Sequence, residues 1–465
     1  MGSVMGIKEP QGLGESSNPI GWGAMKCSHH LGLAVFFLSY LLLVGCDDVD
    51  TISGERLSVR GVLKTQALSE PAAALGPKAI KLPKLSKSSN WTHRIGTPKY
   101  RVTHPALNPE FTLRWSAPIG QGDKRKNRIS TEPVIADGRI FTLDSRSFVT
   151  ATSVDGDTLW SYDLTPARDR SGDASGGGLA YGNDTLYVTS GYGTLTALTP
   201  QTGALRWAQN LESGGPSAPT VYDGVVYVVA GNGTSIALEA DSGRVRWQVD
   251  GISAVTAVGG GAAPAVTDKF VIFAHGTGEV FSAFRKGGLR FWSNIISGQR
   301  LGAAAATLSA VTSDPVVVGQ TVHIGTHSGR LAALDVTSGK RLWTLNDGAL
   351  GPVWPAGGSL FFVSDTNKLM RVRAKDGQVF WSVDLPDFTN KNPKKSVRIF
   401  SHYGPVLAGG QLIVASDDGL LRMFDPASGD LLRSVAVPGG ATAAPIFAKG
   451  TMYVVSTKGA LHAFR

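Results

Sequence analysis

The chain has 465 residues, 58 of them glycine, with 17% charged and 42% hydrophobic side chains. That apolar content supports a large core and excludes a disordered chain, while abundant glycine with few charges suits short strands and tight turns better than helices. The formal net charge of +9 comes from 45 Lys and Arg against 36 Asp and Glu. Its short clusters, Lys124–Lys126 and Lys391, Lys394, Lys395 and Arg398, are not interleaved with aromatics on one motif, which argues against nucleic acid and for solvated loop charges. The two cysteines, Cys27 and Cys46, both lie within the first 46 residues, so the body that follows carries no disulfide, thiolate metal site or cysteine nucleophile.

Residues 31–45, LGLAVFFLSYLLLVG, form a 15-residue uncharged apolar run. At ~1.5 Å per residue the run is short for a ~30 Å membrane core and has the length of a signal-peptide hydrophobic region. It ends in Leu43-Val44-Gly45-Cys46, which resembles a bacterial lipobox, where the cysteine is lipidated on sulfur and becomes the mature N-terminus. Asp47 and Asp48 follow at once, which a buried helix would not tolerate. Met25-Lys26 supplies a short basic lead, so translation is expected to start at Met25 and residues 1–45 to form the signal peptide. Residues 46–110 show no periodicity, and the Pro, Ala, Lys and Ser of Ser69–Asn90 read as a lipid-anchored tether. Trp91 and Tyr100 are candidate points where it docks on the body.

The remainder repeats. SAPTVYDGVVYVVAGNGTSIALEADSGRVRW, ending at Trp247, and SDPVVVGQTVHIGTHSGRLAALDVTSGKRLW, ending at Trp343, each contain four alternating apolar runs separated by glycine-centred turns, the pattern of a four-stranded meander. A terminal Gly-x-x-x-Trp recurs at Gly156/Trp160, Gly203/Trp207, Gly243/Trp247, Gly288/Trp292, Gly339/Trp343 and Gly377/Trp381. A seventh unit has Gly429 in register but Arg433 in place of tryptophan, and an eighth stops at Arg465 after three strands. The segment Phe111-Thr-Leu-Arg-Trp115 fits the missing fourth strand. Residues 111–465 are therefore expected to form an all-β, eight-bladed propeller of four-stranded antiparallel blades, closed by an N-terminal strand, with each tryptophan packing one blade on the next.

These repeats resemble the quinoprotein-like, PQQ-type propeller repeat, with its core seen here as Ala333-Leu334-Asp335…Gly339…Trp343. With lipobox, tether and eight short blades, residues 46–465 resemble the BamB family, lipoproteins of the β-barrel assembly complex. That resemblance implies a non-enzymatic scaffold that binds a BamA-like POTRA domain, alongside other assembly-complex subunits, and that aids insertion of nascent outer-membrane proteins. The family's contact loops match Leu211–Gly215 and Leu308–Asp314, which makes Leu211, Ser213, Gly214, Leu308, Ala310 and Thr312 the candidate partner-binding residues and Cys46 the lipidation site. Ser213-Gly214 stands where the family has a Leu-Arg pair, and Ala310 and Thr312 where it has aspartates, so the loops carry over and the salt-bridging residues do not. Leu211 and Leu308 are then the expected anchors. Both loops, with the long connections Thr165–Gly178, Ser293–Thr312 and Val383–Tyr403, join one blade to the next, and such connections emerge on one face. The outer membrane is the expected location, although Asp47 after the cysteine would favour the inner membrane under the best-known sorting rule.

Two other function classes compete. A PQQ-dependent periplasmic dehydrogenase would hold PQQ and calcium at the propeller axis, but this chain lacks adjacent cysteines and its short repeat intervals leave little loop to wall such a site. No cofactor or metal site is therefore expected. A glycan-binding propeller would need exposed aromatics, of which Trp354, Phe400 and Tyr403 are the ones outside repeat positions. His323 and His327 straddle a strand end and read as surface histidines rather than zinc ligands. Gly176–Gly178, Gly259–Gly261 and Asp155-Gly156-Asp157 lack the helix or loop context of phosphate or calcium sites and read as crowded strands and a hairpin.

Overall fold

Glycine turns at regular spacing fold the chain into eight separate four-stranded sheets. The computed structural model describes residues 74–99, 104–252, 261–296, 310–389 and 398–465, all within the unit 69–465. Cys46, the apolar run, Tyr100 and Leu308 lie outside them. Seven blades are sequential antiparallel meanders over 134–163, 177–210, 220–250, 265–295, 316–345, 354–384 and 402–436. The eighth takes its three inner strands from Ile446–Ala448, Thr451–Val455 and Ala460–Phe464 and its outer strand from Leu113–Pro118, which pairs antiparallel with Ala460–Phe464. The expected closure by the N-terminal strand is therefore observed. It removes the open edge that a linear array would present.

Within a blade the three inner strands are almost wholly buried, whereas the outer strand alternates between exposed and half-buried positions, as in Leu205–Asn210. The half-buried position is the repeat tryptophan, and it does three things at once. Its ring tilts against an aromatic on the second strand of its own blade, at centroid distances of 5.8 Å for Phe141–Trp160 and Tyr187–Trp207 and 6.0 Å for Tyr227–Trp247 and Phe361–Trp381. Its other face lies on the turn glycine of the next blade. A Cβ on Gly203, at φ +73°, would come within 2.6 Å of the Trp160 ring, so glycine is required both for its backbone conformation and for the approach. Finally, the indole N–H donates to a carbonyl of the next blade, for example Trp160 to Pro200 (2.9 Å) and Trp292 to Val336 (2.9 Å).

The junction between blades 7 and 8 departs from this scheme. Arg433 stands where tryptophan is expected, its guanidinium 5.1 Å from the centroid of Phe111, which in turn stacks on Phe464 at 5.4 Å. Phe111 has φ +42°, a strained conformation for a bulky residue, costing about 1–2 kcal/mol. Stacking on Phe464 holds it there, at the point where the closing strand begins.

Residues 74–99 and 104–110, expected as tether, are instead largely bound to the propeller. Leu75 N–H donates to Val379 O (2.9 Å), the buried Arg371 donates to Lys78 O (2.6 Å), and Trp91 exchanges two backbone hydrogen bonds with Ile135. The docking role expected for Trp91 is observed: it is 1% exposed, stacks on Trp354 (6.3 Å) and meets Phe447 at a tilt (6.2 Å). Those contacts come from the inner strands of blades 1, 6 and 8, so the indole lies at the propeller axis. Arg94 bridges Glu132 and Asp314, each at 3.0 Å, which precede the inner strands of the opposed blades 1 and 5. The segment thus forms a strap across the axis. Its other contacts fall at the turns between first and second strands: Asn90 with Asp137, Ser88 with Lys449, Pro105 with Gly409 and Asn108 with Gly450.

His323 is the clearest difference from expectation. It is 2% exposed, on the second strand of blade 5, and tilts on Trp343 at 5.8 Å. It occupies the position that Phe or Tyr holds in blades 1, 2, 3, 6 and 8, where burial pushes its pKa down to about 4. An unfolded histidine titrates near ~6.5, so protonation favours the unfolded chain, and stability is lost as pH falls from about 6.5 towards 4. His323→Phe should raise the melting temperature more at about pH 5 than at about pH 7.5; an equal gain at both would contradict this. Trp91→Ala should cost about 3–5 kcal/mol and Trp115→Ala, half-buried over Gly156, about 3 kcal/mol in thermal unfolding. Unchanged melting of either would contradict strap docking or blade closure.

Candidate partner-binding face

Strand direction divides the propeller into two faces. First-to-second strand turns and third-to-fourth strand turns lie on one face; second-to-third strand turns and the blade-to-blade connections lie on the other. Most of the strap runs over the first face, while Arg94 reaches Glu132 and Asp314 at the connection-face ends of their inner strands. The second, the connection face, holds the loops expected to meet a partner, Leu211–Gly215 between blades 2 and 3 and, of Leu308–Asp314 between blades 4 and 5, the described residues 310–314.

The individual residues divide differently. Leu211 is 2% exposed and belongs to the core shared by blades 2 and 3, while its N–H donates to Gly193 O. Ala310 is also 2% exposed, with His327 Nδ1 3.1 Å from its carbonyl oxygen. Leu211 therefore cannot serve as the expected contact anchor, and the candidate contact Ala310 is buried as well. Gly214 is exposed, and Ser213 and Thr312 are half-buried, with Thr312 Oγ1 donating to Ala349 O (3.0 Å). Leu308 and Cys46 lie outside the described residues.

What reading the sequence missed is the convergence of cationic residues from separate stretches of the chain. Lys124, Arg125 and Arg128 follow the closing strand, Arg398 lies between blades 6 and 7, and Lys458 occupies a turn of blade 8. Together they line one groove of about 810 Å³ on the connection face, with Asp123 and Asp417 as its carboxylates. Asp417 pairs with Arg398 at 3.3 Å. Asp123 accepts from Ile129 N–H, and partial burial raises its pKa. Among the described residues, Lys124, Arg125, Arg128 and Lys458 make no salt bridge. Nothing in the spacing of these residues signals the groove; it exists because a propeller brings its first and last blades side by side.

The groove adjoins a cavity of about 400 Å³ at the axis, where Trp91 and Arg94 contribute to the lining and Phe400 and Tyr403 form part of the wall. Burial pushes the Tyr403 hydroxyl up to about 12. Trp354 is fully buried against Trp91, which removes it as an exposed aromatic for a glycan.

A family model for the outer membrane protein assembly factor BamB matches residues 145–383 and 389–465. The chain belongs to this family. Its relatives include the BamB proteins of Salmonella typhimurium, 29% identical over 77% of this chain and 90% of theirs, and of Escherichia coli, 27% identical over 77% and 90%. The crystal structure of BamB from Moraxella catarrhalis superposes with a TM-score of 0.62 at 19% identity, covering 76% of this chain and 99% of that one. A quinohemoprotein alcohol dehydrogenase from Comamonas testosteroni reaches 0.57 at 15% identity, covering 82% and 81%. These two likenesses are of fold alone.

The dehydrogenase likeness raises the question of whether this BamB-family axis fits PQQ and a metal. It does not. Trp91 and Arg94 cross it, Glu132 is taken by Arg94, and His402 lies 2.6 Å from Ser416 Oγ and 2.8 Å from Pro386 O. Among the described residues, no three His, Cys, Asp or Glu side chains are placed to hold a metal.

Ala310→Glu should bury an unpaired carboxylate and destabilise the fold by about 3 kcal/mol, whereas the exposed Lys124→Glu should leave the melting temperature unchanged. Equal melting of the two variants would return Ala310 to the surface.

Proposed function

We propose that this chain is a non-enzymatic scaffold lipoprotein of the β-barrel assembly machinery. In this reading Cys46 is diacylated and tethers the propeller to the outer membrane, and the connection face binds a POTRA domain of a BamA-like subunit. Other assembly-complex subunits and nascent outer-membrane proteins are the further partners. The observation that carries the reading is the family match across 145–383 and 389–465, on a propeller whose other face is already covered by its own strap. A rigid closed scaffold presents connection loops as its variable, partner-accessible surface. With Leu211 and Ala310 withdrawn into the core, the contact rests on the exposed backbone around Gly214 and on the charged side chains of this face.

Affinity purification of the full chain from detergent extracts, followed by mass spectrometry, tests both parts. A BamA-like protein should co-purify, and the N-terminal peptide should begin at an acylated Cys46 in the outer-membrane fraction. Absence of that partner overturns the scaffold role. An intact Met25 peptide or an unmodified Cys46 overturns the anchor, and recovery in the inner-membrane fraction overturns the location and makes Asp47 a retention signal. Added PQQ and calcium should produce no dye-linked alcohol oxidation.

A further inference from the structure

We infer that the basic groove of the connection face binds an acidic segment of a protein partner, one that carries a bulky apolar side chain beside its carboxylates. The inference rests on reading this face as a partner surface and adds the chemistry by which it would choose a partner. Five cationic side chains from three separate stretches of the chain, Lys124, Arg125, Arg128, Arg398 and Lys458, surround one depression against two carboxylates. Five cations face two carboxylates, one of which, Asp417, is paired with Arg398, so the local field is positive. Four exposed cations without a salt bridge in one concavity repel each other and lower the cost of bringing in carboxylates.

Shape and neighbours favour a peptide over a bilayer. The groove is concave, whereas a flat anionic surface engages cations that project. Asp123 and Arg128 line both the groove and the adjoining axis cavity. At that shared mouth Ile399 is 49% exposed and bridged to Phe388, also 49% exposed. Apolar and cationic surfaces therefore meet within one site. An extended chain satisfies both by placing carboxylates in the groove and an aromatic or aliphatic side chain on the Phe388–Ile399 pair.

The test titrates the full chain with a fluorescein-labelled decapeptide of Asp and Glu around one central tryptophan, read by fluorescence anisotropy. Parallel titrations use the same peptide with serine for tryptophan, one with lysine for every acid, and phosphatidylglycerol vesicles. The acidic tryptophan peptide should bind, weaken steeply with salt, and lose at least tenfold in affinity to Lys124→Glu/Arg128→Glu. The serine peptide should bind at least fivefold more weakly. Lys286→Glu, an exposed charge reversal on the strapped face, should bind as the parent does. Equal binding of the lysine peptide, binding by the double variant within twofold of the parent, or loss confined to the vesicles would overturn the inference. Co-purification of the BamA-like protein scores the scaffold role separately. Its absence with peptide binding intact refutes that role alone, and its presence without peptide binding refutes the groove alone.

Discussion

The tryptophan wedged between an aromatic of its own blade and a glycine of the next is the interaction on which the rest of this molecule depends. Blades diverge away from the axis, and the gap between them must be filled by something flat and large on a partner with no side chain. Trp160 on Gly203, Trp207 on Gly243, Trp247 on Gly288 and Trp343 on Gly377 repeat that solution, while Trp292 lies on Gly339 with Ile272 at the matching position of its own blade. Each seam is also tied by an indole hydrogen bond in Trp160, Trp207, Trp247, Trp292 and Trp343. A steric wedge plus one directional bond fixes the angle between neighbours, and eight such angles must sum to a closed ring. At the last seam Arg433, Phe111 and Phe464 take over, which lets the entering chain be clamped where the ring shuts.

Two members of that wedge could be read from the sequence because Gly-x-x-x-Trp has a fixed spacing, and the closing strand could be read because the eighth repeat lacked one. The third member could not. Phe141, Tyr187, His323 and Phe361 share a position only once the strands are in register, and His323 looks like a surface residue until its place beside Trp343 is known. The strap was hidden for the same reason. Pro- and Lys-rich sequence carries no periodicity, and its order comes from backbone hydrogen bonds to turns scattered over most of the ring. Leu211 and Ala310 illustrate the opposite error. Loop position was legible, but a loop residue can still be buried, and both are. The basic groove needed ring closure to bring Lys124 next to Lys458.

These features give the two faces different tasks. The strap enters from the first face, and Trp91 and Arg94 cross the axis to join blades that are far apart around the ring, Arg94 reaching Glu132 and Asp314 at the connection-face ends of their inner strands. What remains open is the connection face, with a cationic groove beside exposed Phe388 and Ile399. Membership of the BamB family and this division of faces are the two observations on which the proposed partner surface rests.

Hydrogen–deuterium exchange of the full chain, alone and with the BamA-like protein of the same bacterium, tests the division of faces most directly. The account predicts new protection on the connection face, in residues 119–133, 211–217, 398–404 and 456–459, and none in the strap or the turns beneath it. Protection confined to residues 74–110 and the strapped turns would contradict it.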